Sequence, residues 1–510
     1  MSACCKAYDI KRTLEMWSSG VYGEEFRRAA SGASGDPPPG LLPDVARLLV
    51  ESRPLGDEPI MAGYFDGQKK HLEWRDMIRR EAASHVPRLR AWRERQMNRC
   101  VLEIGISQNS VLTHIPAAFE LTSGCSVNCW FCSMESGPLR GVFRYSPDNA
   151  KLWRETLTAF AEIVGPCAKW SSCYWGTEPL DNPDYECFCG DAFAVLGMYP
   201  QTTTAVPLRN AERTRALLAE SHAKGCRVNR FSIHDAEQLR GVLANFSALE
   251  LANTELLLEN PERKSAPMVT AGKLFNMRRT MPETAAREDE RAISMIKEAY
   301  PDIAAHYDTF EVNTFHLDEG GDGPRRFRIN LPSTTACMSG FLVNMVERTV
   351  ALISPCAADA EWPRGYIVFD QGHFDSGDSF RALLCRMIED NMPEKVLPGD
   401  CVALTRRVNY TQTEKGFVLS SVFGRVAYEI EKLGPYLAYL GSLLRQDGSR
   451  PGEIALECFY LFGKHEALTL GFINDLFNKG LLETGKTVGE SPGTVNTVGN
   501  VNVACNVNIS

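Results

Sequence analysis

Ten consecutive residues limit this chain more than any other stretch: Gly124-Cys-Ser-Val-Asn-Cys-Trp-Phe-Cys-Ser133, with thiols at Cys125, Cys129 and Cys132 and an aromatic ring, Phe131, just before the last. Three thiolates this close on a short loop can ligate three irons of a [4Fe-4S] cluster and leave the fourth iron open to a ligand from outside the protein. A structural zinc site asks for a fourth protein ligand, usually from a second Cys-x2-Cys unit, and none follows here. The run 115–121 just upstream is rich in apolar residues and reads as a strand, so the loop is expected at a strand's end. The chain carries 17 cysteines in 510 residues. At that length they read as reduced thiols and cluster ligands rather than the disulfide framework of a small secreted domain. Most of the others, such as Cys100, Cys167, Cys226 and Cys458, read as small core hydrophobes.

The spacing Cys-x3-Cys-x2-Cys with an aromatic before the third Cys is similar to the signature of the radical SAM enzymes. The resemblance implies that the open iron binds the amino and carboxylate groups of S-adenosyl-L-methionine. It also implies that one electron, from a reductant of the flavodoxin or ferredoxin type, cleaves the sulfonium to a 5'-deoxyadenosyl radical. Gly176-Thr-Glu-Pro-Leu180 resembles the family's Gly-Gly-Glu-Pro motif, which implies that Gly176, Thr177, Glu178 and Pro179 approach the cofactor's amino group; it departs from the motif at Thr177. The stretch 227–234 is similar to the strand that meets the cofactor's ribose, with Ser232 and His234 as the candidates, and Phe131 joins the cofactor-binding set.

Charge narrows the partners. With 55 basic and 64 acidic residues the net charge is -9, and no dense Lys/Arg block occurs, which argues against nucleic acid. No apolar run approaches roughly 18 residues, and the start, where Cys4, Cys5 and Lys6 sit among polar neighbours, has no signal-peptide pattern. A cytoplasmic protein with no membrane partner is expected.

The length suggests roughly two to four domains. Residues 1–114 read as a helical region, with helices at 11–17, 43–52 and 69–98. From 115 to 330 strands and helices alternate: a helix at 148–164 and strands at 169–175, 201–205, 227–234, 254–258 and 309–315 follow the first strand. The fold class is therefore α/β, a partial (β/α)6 TIM-like barrel whose ligands gather at the carboxyl ends of the strands. Residues 331–400 form a bridging region with a hairpin between Cys337 and Cys356. It resembles the front half of the auxiliary-cluster region of peptide-modifying radical SAM enzymes, without the later cysteines.

Residues 401–484 read as a hairpin at 408–418 followed by helices at 424–433, 436–444, 451–462 and 466–479. The pattern resembles the winged-helix leader-recognition domain of enzymes that modify ribosomally made peptides, where a leader adds as a strand. A DNA-reading winged helix is the alternative, but helix 466–479 carries only Lys479 as a cation. The tail 485–510 alternates Val and Asn and looks like the core of proteusin precursors, or else is a low-complexity tail; Cys505 lies within it.

Together these features resemble the radical SAM peptide epimerases. The resemblance implies abstraction of a Cα hydrogen from a residue of a precursor peptide with a leader and a Val/Asn-rich core. A thiol on the opposite face then returns a hydrogen and fixes the D configuration. Cys356 is the expected donor, because Pro355 fixes the backbone ahead of it, with Cys337 next. A radical SAM cyclase forming thioether or carbon-carbon cross-links with an auxiliary cluster is the alternative.

Overall fold

The computed structural model describes residues 3–484 apart from 34–36, 265–268, 300, 313–325, 330, 332, 335, 422 and 447. The Val/Asn tail with Cys505, and the end of the strand expected at 309–315, lie outside the described residues.

The N-terminal region is helical: α1 (Ala3–Ser18), α2 (Gly23–Ser31), α3 (Pro43–Val50), α4 (Ala62–Glu81), α5 (Pro87–Glu103) and α6 (Ile106–Val111). The single helix expected over 69–98 is split into α4 and α5. Pro87 at the start of α5 has no N–H to offer a preceding turn, and Val86 before it is extended at φ -69°, ψ 117°. The corner is pinned by Ser84, whose Oγ donates to Val164 O at 2.7 Å.

β1 (Ile115–Glu120) comes next, and β2 (Thr122–Ser123) pairs antiparallel with β3 (Gly141–Val142), closing the loop that carries the three thiols. α7 (Pro147–Val164) starts where Ser146 Oγ accepts from Asn149 N at 3.3 Å and ends at Gly165. It sets Trp153 and Phe160 edge-on to Phe119 of β1, with ring centroids 5.3 and 5.5 Å away. The strand expected at 169–175 is absent. Residues Gly165–Trp170 wind as a 3-10 turn, and one bridge, Ser172 to Ala118, is the whole of the pairing there. Beyond it the Ser172 hydroxyl bonds forward to Tyr174 O at 3.0 Å, curling the chain away from the ladder.

Alternation then sets in: α8 (Tyr185–Leu196), β4 (Thr203–Thr204), α9 (Ala211–Ala223), β5 (Asn229–Ile233), α10 (Ala236–Asn245) and β6 (Thr254–Leu258). β4, β5 and β6 form a parallel sheet in that order. Along β5, Phe231 and Ile233 pack with Leu218, Leu239 and Val242 of the helices, while Arg230 and Ser232 face the other way. α11 (Lys273–Thr280), α12 (Pro282–Ala299) and α13 (Pro301–His306) lead to a parallel pair, β7 (Thr309–Val312) and β8 (Arg326–Ile329).

β9 (Met338–Asn344), β10 (Thr349–Pro355) and β11 (Tyr366–His373) form a meander before α14 (Gly377–Asn391). The expected hairpin forms as β9 and β10, but β9 also pairs in parallel with β1, from Ile115↔Met338 to Glu120↔Asn344. The region after 330 thus shares one sheet, β1-β9-β10-β11, with the strand that carries the thiol loop. The architecture is mixed α/β, and among the described residues the strands lie in separate sheets with no closed barrel.

The C-terminal region holds β12 (Val402–Leu404), β13 (Asn409–Thr413), β14 (Gly416–Ser421), β15 (Gly424–Glu429), α15 (Gly434–Leu444), α16 (Pro451–Phe462), α17 (Glu466–Asn478) and β16 (Leu482–Thr484). The helix expected at 424–433 is the strand β15. Its burial alternates, with Tyr428 inside and Arg425, Ala427 and Glu429 outside, and the Tyr428 ring stacks on Phe417 of β14 at 5.1 Å. β12 and β16 close the unit as an antiparallel pair. It is joined to the rest through α5: Ser421 Oγ donates to Leu102 O at 2.6 Å, and the Arg95 guanidinium lies 4.2 Å over the Phe477 ring. Among the described residues no helix is long and apolar enough to cross a membrane.

Candidate functional site

The thiol loop leaves the end of β1 and folds back under two glycines where any side chain would meet backbone. At Gly124 (φ +77°) a Cβ would stand 2.0 Å from Pro138 O, and at Gly272 (φ +60°) it would stand 2.1 Å from Ser133 O. The loop is tied down on both sides. Asp181 accepts from Ser126 N at 2.8 Å, from Ser126 Oγ at 2.5 Å and from Arg209 Nη1 at 2.7 Å. Across from it, Lys273 Nζ reaches Asn128 Oδ1 at 2.7 Å and Cys129 O at 2.9 Å, and its N–H donates to Cys132 O at 3.0 Å.

Cys125, Cys129 and Cys132 are free, half-buried thiols. Burial, with the Cys132 and Cys125 thiols beside it, pushes the Cys129 thiol up to about 12. Burial also raises the Cys125 thiol, against the pull of neighbouring backbone N–H groups. Among the described residues no three His, Cys, Asp or Glu side chains are gathered as a formed metal site. The donor chemistry nonetheless fits three-thiolate ligation of iron: three soft sulfur donors, none of them in a disulfide, on one pinned loop.

His234, just past β5, sits against this loop. Its Nε2 is 3.4 Å from Cys129 Sγ, and its ring meets Phe131 edge-on at 5.1 Å. Gly176 is brought to the same place, since a Cβ there would be 3.1 Å from Met134 Cβ, and its N–H donates to Glu120 Oε1 at 2.9 Å. Glu178 is turned inward. Its oxygens accept from Leu180 N at 3.0 Å, Thr204 Oγ1 at 2.7 Å and Ala205 N at 2.8 Å, and burial raises its pKa although these bonds oppose the shift. Thr177 is half-buried beside it, and Pro179 opens a short 3-10 turn ending at Asp181, the loop's anchor.

Below the loop lies a cavity of about 930 Å³. Phe131 and Ser133 of the loop line it, as do Ser232 and Arg230 of β5 and, at the start of β9, Cys337. β1 and β9 pair from Ile115↔Met338 to Glu120↔Asn344 with one register shift between Ile115 and Ala117, so the level of Cys337 lies a full strand length, roughly 20 Å, from the end of β1 where the thiol loop departs. The cavity wall continues past Ile106 and Val111 of α6, both exposed, to Phe423 on the β14–β15 turn. Burial raises the Cys337 thiol, with Arg230 pulling the other way.

Cys356 is not on that wall. It is wholly buried, its N–H bonded to Gly365 O at 2.9 Å, and its thiol is raised by burial among Arg407, Glu103, Arg99 and Asp359. Arg407 links the C-terminal unit to this cluster through Asp359 Oδ2 at 3.0 Å.

The sequence did not single out Arg230 and His71, which line the cavity, or Glu255, which bridges them. Arg230 Nε is 2.8 Å from Glu255 Oε2, and His71 Nε2 is 2.9 Å from Glu255 Oε1. The signal for Arg230 was present: two residues before Ser232 on a strand, it had to share its face. Nothing in the spacing pointed to His71, which arrives from α4.

No family model matches this chain. It is 35% identical over 377 residues to an uncharacterized protein, y4wI, of Sinorhizobium fredii (strain NBRC 101917 / NGR234), across 74% of this chain and 65% of that protein. The chain thus spans a little less than two thirds of that relative's length. A solved structure of BtrN in complex with AdoMet and 2-DOIA overlaps 28% of this chain and 55% of its own, at 16% identity and a TM-score of 0.22, a likeness too slight to carry an argument.

Proposed function

We propose that this chain is a radical SAM peptide epimerase that converts L to D residues in a ribosomally made precursor peptide. Cys125, Cys129 and Cys132 would hold a [4Fe-4S] cluster, with the strands around the cavity acting as a partial (β/α)6 barrel. Cluster and S-adenosyl-L-methionine together, when bound, supply the 5'-deoxyadenosyl radical that removes a Cα hydrogen atom. Ser232 offers a hydroxyl toward the ribose side of the cavity, and Phe131 closes the loop side.

One observation carries the reading: the cavity has the thiol loop at one end and the Cys337 thiol, which burial pushes up, at the other. A peptide residue between them would lose hydrogen on one face and regain it on the opposite face, which is inversion. Cys337, rather than Cys356, is therefore the donor in this reading. Burial keeps its thiol protonated, the form that has a hydrogen atom to give. The thiyl left on Cys337 takes one electron and one proton to return to the thiol, from a reductant of the flavodoxin or ferredoxin class.

The C-terminal unit, a three-stranded antiparallel sheet followed by three helices, would act as a winged-helix leader-binding domain. β15 has an open edge among the described strands, and it starts at Gly424, next to Phe423 on the cavity wall. A leader added antiparallel to β15 would run toward that end, so the residues following it would be directed to the cavity.

The test is anaerobic turnover of reconstituted protein with a leader-bearing Val/Asn peptide in deuterated water, read by mass spectrometry and chiral amino-acid analysis. One deuterium at each D residue is the expected result. A loss of two hydrogens without deuterium would instead indicate a cross-linking cyclase and end the epimerase reading.

A further inference from the structure

Strand register places three polar side chains in one row across the cavity-facing side of β4, β5 and β6. Thr203 pairs with Arg230, and Arg230 with Glu255. In a parallel sheet such partners point to the same face and stand side by side. The row is held at both ends: Tyr174 OH lies 2.6 Å from Thr203 Oγ1, and His71 Nε2 lies 2.9 Å from Glu255 Oε1. In its middle Arg230 commits only Nε, to Glu255 Oε2 at 2.8 Å. Among the described residues neither terminal nitrogen of Arg230 has an acceptor, and the side chain, 36% exposed, lines the cavity. Burial opposes the charge on Glu255, but His71 and Arg230 outweigh it and hold that carboxyl down at about 2. The guanidinium is thus fixed in orientation, with an unused fork of donors.

Its surroundings define what the fork can hold. Glu255 already balances the charge of Arg230 one to one, so a carboxylate ligand would bring a second negative charge beside Glu255 into a partly desolvated wall. A neutral oxygen acceptor brings none. Arg230 is one side-chain layer below Ser232 on β5, roughly 7 Å along the strand toward its start. Cys337 lies on that side too, and Arg230 is the leading charge acting on its thiol.

We infer that Arg230 is a carbonyl clamp for the substrate: its two terminal nitrogens hold an amide oxygen of a peptide in the cavity and present the adjoining carbon to Cys337. The identity of the ligand as a peptide rests on the epimerase reading; the amide preference rests on the row itself. A backbone carbonyl and an Asn carboxamide offer the same acceptor chemistry, and the experiment separates them.

The test is equilibrium binding by fluorescence anisotropy, which needs no turnover, using a labelled Val/Asn peptide and, separately, S-adenosyl-L-methionine. Arg230→Gln is expected to weaken peptide binding about tenfold and Arg230→Lys, which keeps the charge but loses the planar fork, severalfold, with cofactor affinity unchanged. Glu255→Gln, which frees the Arg230 charge, is expected to improve binding of an Asp-for-Asn peptide relative to the Asn parent. An all-Val peptide that stays sensitive to Arg230 assigns the clamp to the backbone; insensitivity confined to that peptide assigns it to the carboxamide. Peptide affinity unchanged in both Arg230 variants, or a loss of cofactor affinity instead, would overturn the clamp. Absence of deuterium uptake by the wild-type protein would overturn the epimerase reading alone, because the binding arms do not depend on it.

Discussion

The two cysteines of the β9–β10 hairpin can be separated by a pair of substitutions whose effects should cross. Cys356 is wholly buried. Replacing it with alanine removes one sulfur-sized group from the core, about 0.8 kcal/mol of transfer free energy by the methylene value. The unfilled space, on the order of 25 Å³, adds about 0.6 kcal/mol. A loss of about 1.5 kcal/mol corresponds to a fall in Tm of about 3 °C for a cooperative unit of about 200 residues. Cys356→Ala should therefore melt early and still form D residues. Cys337 is only partly buried and lines the cavity, so Cys337→Ala should melt closer to wild type than Cys356→Ala does. It should continue to cleave S-adenosyl-L-methionine while D-residue formation is lost. The assay pairs calorimetry with chiral amino-acid analysis of the same preparations. D residues persisting in Cys337→Ala and vanishing in a folded Cys356→Ala would refute the assignment and with it the reasoning from cavity placement.

Two further outcomes follow from the loop and the wall. Gly272→Ala places a Cβ against the Ser133 carbonyl at a φ of +60°. The strain, roughly 1–3 kcal/mol before the clash is counted, should shift the thiol loop and lower the iron retained per chain after anaerobic reconstitution; full retention would show that the loop tolerates the displacement. Glu255 titrates near 2 in the folded chain, below its ordinary value of 4.5. Its charge therefore stabilises the fold fully above about pH 4.5, and that contribution is lost as pH falls toward 2. The deficit in Tm of Glu255→Gln against wild type should be present at neutral pH and shrink on acidification; a deficit that grows instead would reverse the sign of the argument.

The parts of this site that were legible in the sequence are those whose partners are close in sequence. Cys125, Cys129 and Cys132 declare themselves by spacing, and Ser232 declares its face by alternation along β5. The choice between Cys337 and Cys356 was not legible, for a geometric reason. The last paired residues of the hairpin are Gly340 and Ile353, and the two cysteines stand three positions beyond them on opposite strands. Spacing treats them as equivalent; only the neighbours brought in by β5 and by α5 make one a cavity thiol and the other a core thiol. Glu178 shows the opposite limit. Its motif implied an acceptor for the cofactor, and what the motif did not show is that Thr204 and Ala205, arriving with the next strand, also bond its oxygens. β15 was misread because Val426, Ala427 and Tyr428 stand together in the run Gly424 to Glu429 and hide its alternation, and the partner that makes it a strand is β14.

The parallel pairing of β1 with β9 also fixes a timetable. Ile115 and Met338, which begin that ladder, are about 220 residues apart in the chain. At a synthesis rate of roughly 5–20 residues per second, about 10–45 seconds pass between translation of the first strand and of its partner. The three thiols of the loop are on the nascent chain throughout that interval, before the sheet that seats them is complete. If the loop takes up iron as proposed, its acquisition would be a late event, timed by the arrival of a strand from the second half of the chain and subject to the slow closure of a long-range contact.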